Sequence, residues 1–263
     1  VLWGFLPLYM KMLAHIPAVE VVAHRVLWSV PIAGLVLIIM RRTDDLVRVL
    51  RDPRSLAMGC VTATLISVNW GVYVWAISVD RTLDAALGYY INPLFSVFLG
   101  YMLLGEKLSR LQWAAVALAA VAVGVLTYSN GSLPWPALAL TVSWGFYAYF
   151  KRSLPIGPNQ GFLLEVLILT PFAIAYLGWL MVSGGGHFVP VTLDMWLLIG
   201  CGLVTAVPLM LYANGAKGLR LTTIGIMQYS APTMIMLIAV FVFGEPFGEA
   251  RAIAFPMIWA ALG

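Results

Sequence analysis

The chain has 263 residues, of which 62% are hydrophobic and 10% charged, whereas a soluble domain is typically about 45–50% apolar and about 25% charged. That composition excludes a soluble globular fold. The 15 basic against 11 acidic residues, net charge +4, form no basic stripe with base-stacking aromatics, which excludes nucleic acid as a partner.

The apolar residues fall in blocks of about 20, the helix length that crosses a hydrocarbon core of ~30 Å. The first block, 1–13, opens on Trp3-Gly4-Phe5 and is too short to span a bilayer. It reads as a helix lacking its outer part, as does the last block, 250–263. The second span, 21–40, carries His24 and Arg25 near its start, with Glu20 just before it. Residues 41–54 alternate charges with Leu46, Val47, Val49 and Leu50, a pattern that predicts a short helix lying on the membrane surface. Further spans are predicted at 55–77, 83–104, 111–129, 135–150, 161–183, 194–214 and 222–243. The fold class is therefore all-α transmembrane with ten helices, since the blocks lack the period-two alternation of a membrane β-barrel. Cys60 and Cys201 sit inside separate apolar spans and read as packing residues. No cofactor or metal is expected.

Lys and Arg in the connections set the orientation, because the side richer in them stays in the cytoplasm. If the first helix runs outward, the inner side holds Arg41, Arg42, Arg48, Arg51, Arg54, Lys107, Arg110, Lys151, Arg152, Lys217 and Arg220. The outer side keeps Lys11, Arg25, Arg81 and Arg251. Both termini are then cytoplasmic.

Like residues recur at a nearly fixed offset, which reveals a duplication. Trp3-Gly4-Phe5 returns as Trp144-Gly145-Phe146, Pro31 as Pro171, Tyr73 as Tyr212 and Arg81 as Arg220. Tyr90 returns as Tyr229, Pro93 as Pro232, and Gly105-Glu106 as Gly244-Glu245. Two five-helix units follow, at 1–130 and 131–263. An odd helix number makes the second copy enter from the opposite side, the inverted-repeat plan of secondary transporters.

A charge at the centre of a membrane helix costs about 2.5–3.5 kcal/mol on insertion scales and calls for a role. Arg25 and Glu165 occupy equivalent repeat positions, Arg25 nearer the outside and Glu165 nearer the cytoplasm, so no salt bridge between them is expected. Arg25 suits an anionic group; Glu165 suits a cationic group or a proton. Pro93 and Pro232 each interrupt a fourth helix, behind Tyr90 and Tyr229 and beside Asn92 and Gln228, and mark a cavity wall. Asn69, Trp70 and Tyr73, with Trp144 and Tyr147, complete the candidate solute pathway. Glu20 and His24 read as interfacial anchors, His15, His24 and His187 as lying in separate places or near the outer surface, and Glu106 and Glu245 as turn-shaping residues.

Several blocks together resemble a known family: Trp3-Gly4-Phe5, His24-Arg25-Val26-Leu27-Trp28-Ser29, Asn69-Trp70, Leu87-Gly88-Tyr89-Tyr90-Ile91-Asn92-Pro93-Leu94, Leu104-Gly105-Glu106 and Gln228-Tyr229-Ser230-Ala231-Pro232-Thr233. They are similar to RarD-type sequences of the EamA family in the drug/metabolite transporter superfamily. The resemblance spans essentially the whole chain and implies ten helices, two EamA repeats and a bacterial inner-membrane permease. It also carries the label chloramphenicol-sensitive protein, which names an association and no substrate.

The expected function is secondary transport of a small metabolite or drug by alternating access, coupled to protons or exchange, in the lipid bilayer and with a homo-oligomer left open. Rival readings are a non-transporting sensor or assembly partner and an intramembrane enzyme. The sequence lacks a Walker-type loop, a His-Glu-x-x-His site and a Gly-x-Ser-x-Gly elbow.

Overall fold

A computed structural model describes residues 2–40, 43–152, 154–215 and 227–262. Arg41, Arg42, Lys217 and Arg220, with the side chains of Arg48 and Tyr212, lie outside the described residues.

A 3-10 turn at Leu2–Phe5 leads into α1 (Leu6–Met12). Then come α2 (Ala18–Ile39), the short α3 (Asp44–Arg51), α4 (Pro53–Ser78), α5 (Thr82–Leu104) and α6 (Arg110–Asn130). The rest are α7 (Trp135–Lys151), α8 (Pro158–Ser183), α9 (Leu193–Gly215), α10 (Ser230–Leu237, continued by a π turn at Ile238–Val242) and α11 (Gly248–Leu262). Six of these, α2, α4, α5, α6, α8 and α9, are long and apolar enough to cross a membrane. Every described element is helical, and the helix ends fall within a few residues of the apolar blocks.

Local chemistry sets those ends. Asp52 caps α4 by accepting from the Ser55 amide at 3.1 Å, ahead of Pro53 at the first helical position. Hydrogen bonds from Ser55 hold the Asp52 carboxyl below the usual carboxylate range. Ser109 and Gln112 form a reciprocal capping box at the start of α6. Gly105 and Gly244 take left-handed φ values of 67° and 69°. In each case the following Glu amide bonds back six residues, Glu106 to Gly100 and Glu245 to Ala239, so both corners close with the same wide turn around a left-handed glycine.

Glu245 does more than shape that turn. It is buried, and its carboxylate accepts from the amides of Thr82 and Leu83 at 2.7 and 2.9 Å, capping α5 from the other half of the chain. Beside it, Asp84 pairs with Arg81 at 2.7 Å and with Arg251 at 3.3 Å, while Lys11 pairs with Asp80. Three of the four basic residues assigned to the outer side thus sit at one end of the bundle, each on an acid.

The amphipathic α3 forms as expected, with Leu46 and Val49 buried and Val47 and Leu50 exposed. In the bundle, α2 packs against α8 and α9, α5 against α7 and α10, α4 against α7, and α6 against α11. The α2 and α9 backbones meet closely at Gly202, where a Cβ would overlap the Trp28 carbonyl.

The two prolines differ. Pro93 lies inside a continuous α5, whereas Pro232 falls in the first turn of α10, after a break at Tyr229. Met227 and Gln228 are helical just before that break, and within the first turn after it the missing N–H of Pro232 costs no helical bond. Residues 216–226, the predicted connection after the eighth span and the start of the ninth at 222–226, lie outside the described residues.

Candidate functional site

Arg25 projects from the stripe Val21, Arg25, Ser29, Ala33 and Leu37 of α2, all buried at four-residue spacing. The guanidinium is 3% exposed; its Nε donates to Thr205 Oγ1 on α9 at 3.0 Å, and its carbon stands 4.8 Å from the Trp70 ring centroid on α4. Thr205 spends its own proton on the Cys201 carbonyl at 2.7 Å, which leaves its oxygen free to accept from Arg25. The Nη1 of Arg25 and, one turn further, the Ser29 hydroxyl have no hydrogen-bond partner among the described residues. No carboxylate pairs with Arg25 among those residues either.

Asn69, fully buried on α4, is a cross-link. Its Nδ2 donates to the Leu140 carbonyl at 3.1 Å and to Ser143 Oγ at 2.9 Å on α7, and its Oδ1 accepts from the Tyr89 hydroxyl at 3.3 Å on α5. With every polar atom engaged, it fixes α4, α5 and α7 and aims the Tyr89 ring. From there aromatic rings follow in sequence: Tyr73 to Tyr89 at 5.9 Å, Tyr89 to Trp144 at 6.3 Å and Trp144 to Tyr147 at 5.5 Å between centroids.

The series ends on Glu165 of α8, which is fully buried. Its Oε1 accepts from Lys151 Nζ at 2.6 Å and its Oε2 from the Tyr147 hydroxyl at 3.1 Å. Lys151 also donates to the Tyr147 oxygen at 3.0 Å, closing a triangle. Lys151 was expected in a solvated connection; it is instead the last residue of α7, and its flexible stem reaches back into the bundle. Arg25 and Glu165 do not meet, as their repeat positions implied.

Seven of the predicted site residues therefore join one polar and aromatic cluster: Arg25, Asn69, Trp70, Tyr73, Trp144, Tyr147 and Glu165. The others lie apart from it. Tyr90 shares a 2.6 Å hydrogen bond with Thr233 on α10 and stands edge-on to Phe255 and Trp259 of α11. Asn92 and Pro93 are half-buried further along α5, Gln228 is exposed, Tyr229 half-buried and Pro232 buried. Sequence reasoning missed Tyr89, Thr205 and Lys151. For Lys151 a signal existed, since four residues separate it from Tyr147 on one helical face.

Two expectations near the α2 start are corrected. Glu20 and His24 are not interfacial anchors but buried, because Glu20 accepts from the His187 amide at 2.7 Å and pairs with its Nδ1 at 2.8 Å, while His24 stacks on Phe188 at 5.1 Å. Nor are the histidines separate: His15, paired with Asp194, lies 6.2 Å from His187 between ring centroids.

Comparison with known proteins gives a consistent picture. The EamA-like transporter family matches residues 1–128. An uncharacterized transporter of Vibrio cholerae is 41% identical over 99% of this chain and 87% of its own length. The uncharacterized transporter YojE of Bacillus subtilis is 42% identical, covering 100% of this chain and 89% of its own, and the protein RarD of Escherichia coli is 38% identical, covering 99% and 88%. A solved crystal structure superposes with a TM-score of 0.62 over 99% of this chain and 92% of the other at 20% identity, a likeness of fold alone.

Proposed function

Because the chain belongs to the EamA-like transporter family, alongside the RarD proteins, we propose that this multi-pass membrane protein is a secondary permease that carries a small metabolite or drug by alternating access. The observation that carries the reading is the cluster from Arg25 to Glu165, in which three charged side chains, Arg25, Lys151 and Glu165, and five aromatic rings from α2, α4, α5, α7 and α8 meet inside a largely apolar bundle. Polar groups at that depth mark a solute path in a membrane protein.

The architecture we propose is ten helices in two inverted repeats, 1–130 and 131–263. Packing supports it, because two of the close pairings have counterparts once the halves are exchanged. The α2 contact with α9 answers to that of α8 with α4, and the α5 contact with α7 answers to that of α10 with the Leu2–Phe5 turn. The identical Gly-Glu corners fit the same relation. Exchange of conformations between two such halves is the physical basis for exposing one site to each side in turn. Orientation follows the basic connections, with residues 41–54 and both termini in the cytoplasm of a bacterial inner membrane. Protons or a counter-moving solute supply the coupling, with no enzymatic turnover.

Flux tests this directly. Purified protein in proteoliposomes is expected to carry members of a panel of radiolabelled acids, amines, amino acids and nucleosides above empty vesicles, with transport lost on Glu165→Gln. Correctly folded, oriented protein that moves no member of the panel under a pH gradient or with internal counter-solute overturns the permease reading.

A further inference from the structure

Two of the cluster's most buried polar groups are donors with nothing to bind. Arg25 Nη1 and the Tyr73 hydroxyl have no hydrogen-bond partner among the described residues, and each side chain is 3% exposed. Trp70 links them: Tyr73 stands one turn beyond it on α4, and the Arg25 guanidinium overlies its ring. A guanidinium out of water is costly when no anion answers it. The Trp70 face and the Thr205 oxygen compensate it only in part, since neither carries a formal negative charge.

At the opposite pole the balance differs. Both oxygens of Glu165 are engaged, one by Lys151 and one by Tyr147. The cluster thus holds an uncompensated cation at one end and a neutralised pair at the other, and between them lie the rings of Tyr73, Tyr89 and Trp144.

We propose that Arg25 and Tyr73 form an anion subsite and that the solute is an organic acid with an apolar or aromatic body, its carboxylate on Arg25 Nη1 and the Tyr73 hydroxyl and its body against Tyr89 and Trp144. Amines are disfavoured because, among the described residues, the cluster's one carboxylate, Glu165, is already engaged on both oxygens. The assignment rests on the permease reading and deepens it. A carboxylate is the fitting acceptor, since its two oxygens can take two donors at once and its charge answers a planar guanidinium.

The test measures binding and flux of phenylpropanoate, phenylpropylamine and phenylpropanol with the full chain, wild type and variants. Phenylpropanoate is expected to bind and cross, and the other two far less. Tyr73→Phe keeps the ring and its packing, and it should weaken phenylpropanoate binding by roughly tenfold or more, the scale of a lost hydrogen bond to a charged group. Arg25→Gln should abolish binding, while Arg25→Lys, which keeps the charge and loses the planar fork, retains a fraction. Preference for the amine or the alcohol, or phenylpropanoate binding indifferent to Tyr73→Phe and Arg25→Lys, overturns the anion subsite, which then holds only water. Panel flux of other solutes would in that case leave the permease standing. Phenylpropanoate binding that is lost on Arg25→Gln but gives no flux keeps the subsite and overturns the permease.

Discussion

At the scale of single residues, charge placement decides what each group can do. Glu165 and Arg25 share a repeat position, yet one has partners on both oxygens and the other has an idle nitrogen. Removing the Glu165 charge strands Lys151, so Glu165→Gln should destabilise the fold toward the lower end of the ~3–5 kcal/mol seen when a buried pair loses one partner. The lower end applies because the Lys151 side chain retains 20% exposure. Adding Lys151→Met should restore much of the loss, and thermal unfolding in detergent reads both; a double variant no more stable than the single one would show that the pair contributes nothing. The sequence expectation that Arg25 and Glu165 do not pair agrees with the contacts, since both oxygens of Glu165 are taken by Lys151 and Tyr147. The sequence was not legible in choosing between Tyr89 and Tyr90. Adjacent helical residues point about 100° apart, and a span apolar on every side offers no stripe from which to set that phase. Thus Tyr90, chosen for its recurrence at Tyr229, faces α10 and α11, and Tyr89 faces the cluster.

Among whole elements, the ends were easier to read than the interiors. Lipid cannot satisfy backbone groups, so a helix must continue until the polarity changes, and caps and glycines mark the place. Asp52 before Pro53 is one such mark. Its folded-state carboxyl sits below its unfolded value, so the stability it contributes is present above the unfolded value near ~3.9 and is lost as pH falls through the folded one. Asp52→Ala should therefore unfold at a lower temperature than wild type at neutral pH, with the gap narrowing as the medium is acidified below pH ~4. Parallel melting curves across that range would remove the capping role. What sequence could not give was the fate of the two prolines. Pro93 lies inside one helix and Pro232 just after a break at Tyr229, a difference that two prolines recurring at one offset do not announce.

For the molecule as a whole, topology is the testable quantity. In a background without Cys60 and Cys201, Thr43→Cys is expected to react with a membrane-impermeant maleimide only in inside-out vesicles, and Val191→Cys only in right-side-out vesicles. Labelling of both from one side would refute the inverted arrangement. Helical class and spacing were open to sequence because composition and offset report on them directly. The pairing of helices was not, since it emerges from close approaches such as Gly202 against Trp28, which no single segment announces. The Glu245 cap has a consequence for how the chain is made. The carboxylate that satisfies Thr82 and Leu83 lies 163 and 162 residues further on, so α5 enters the membrane during synthesis with those two amides bare. That helix start is sealed only once synthesis has passed Glu245, so the packing around α5 completes only when this much later segment arrives.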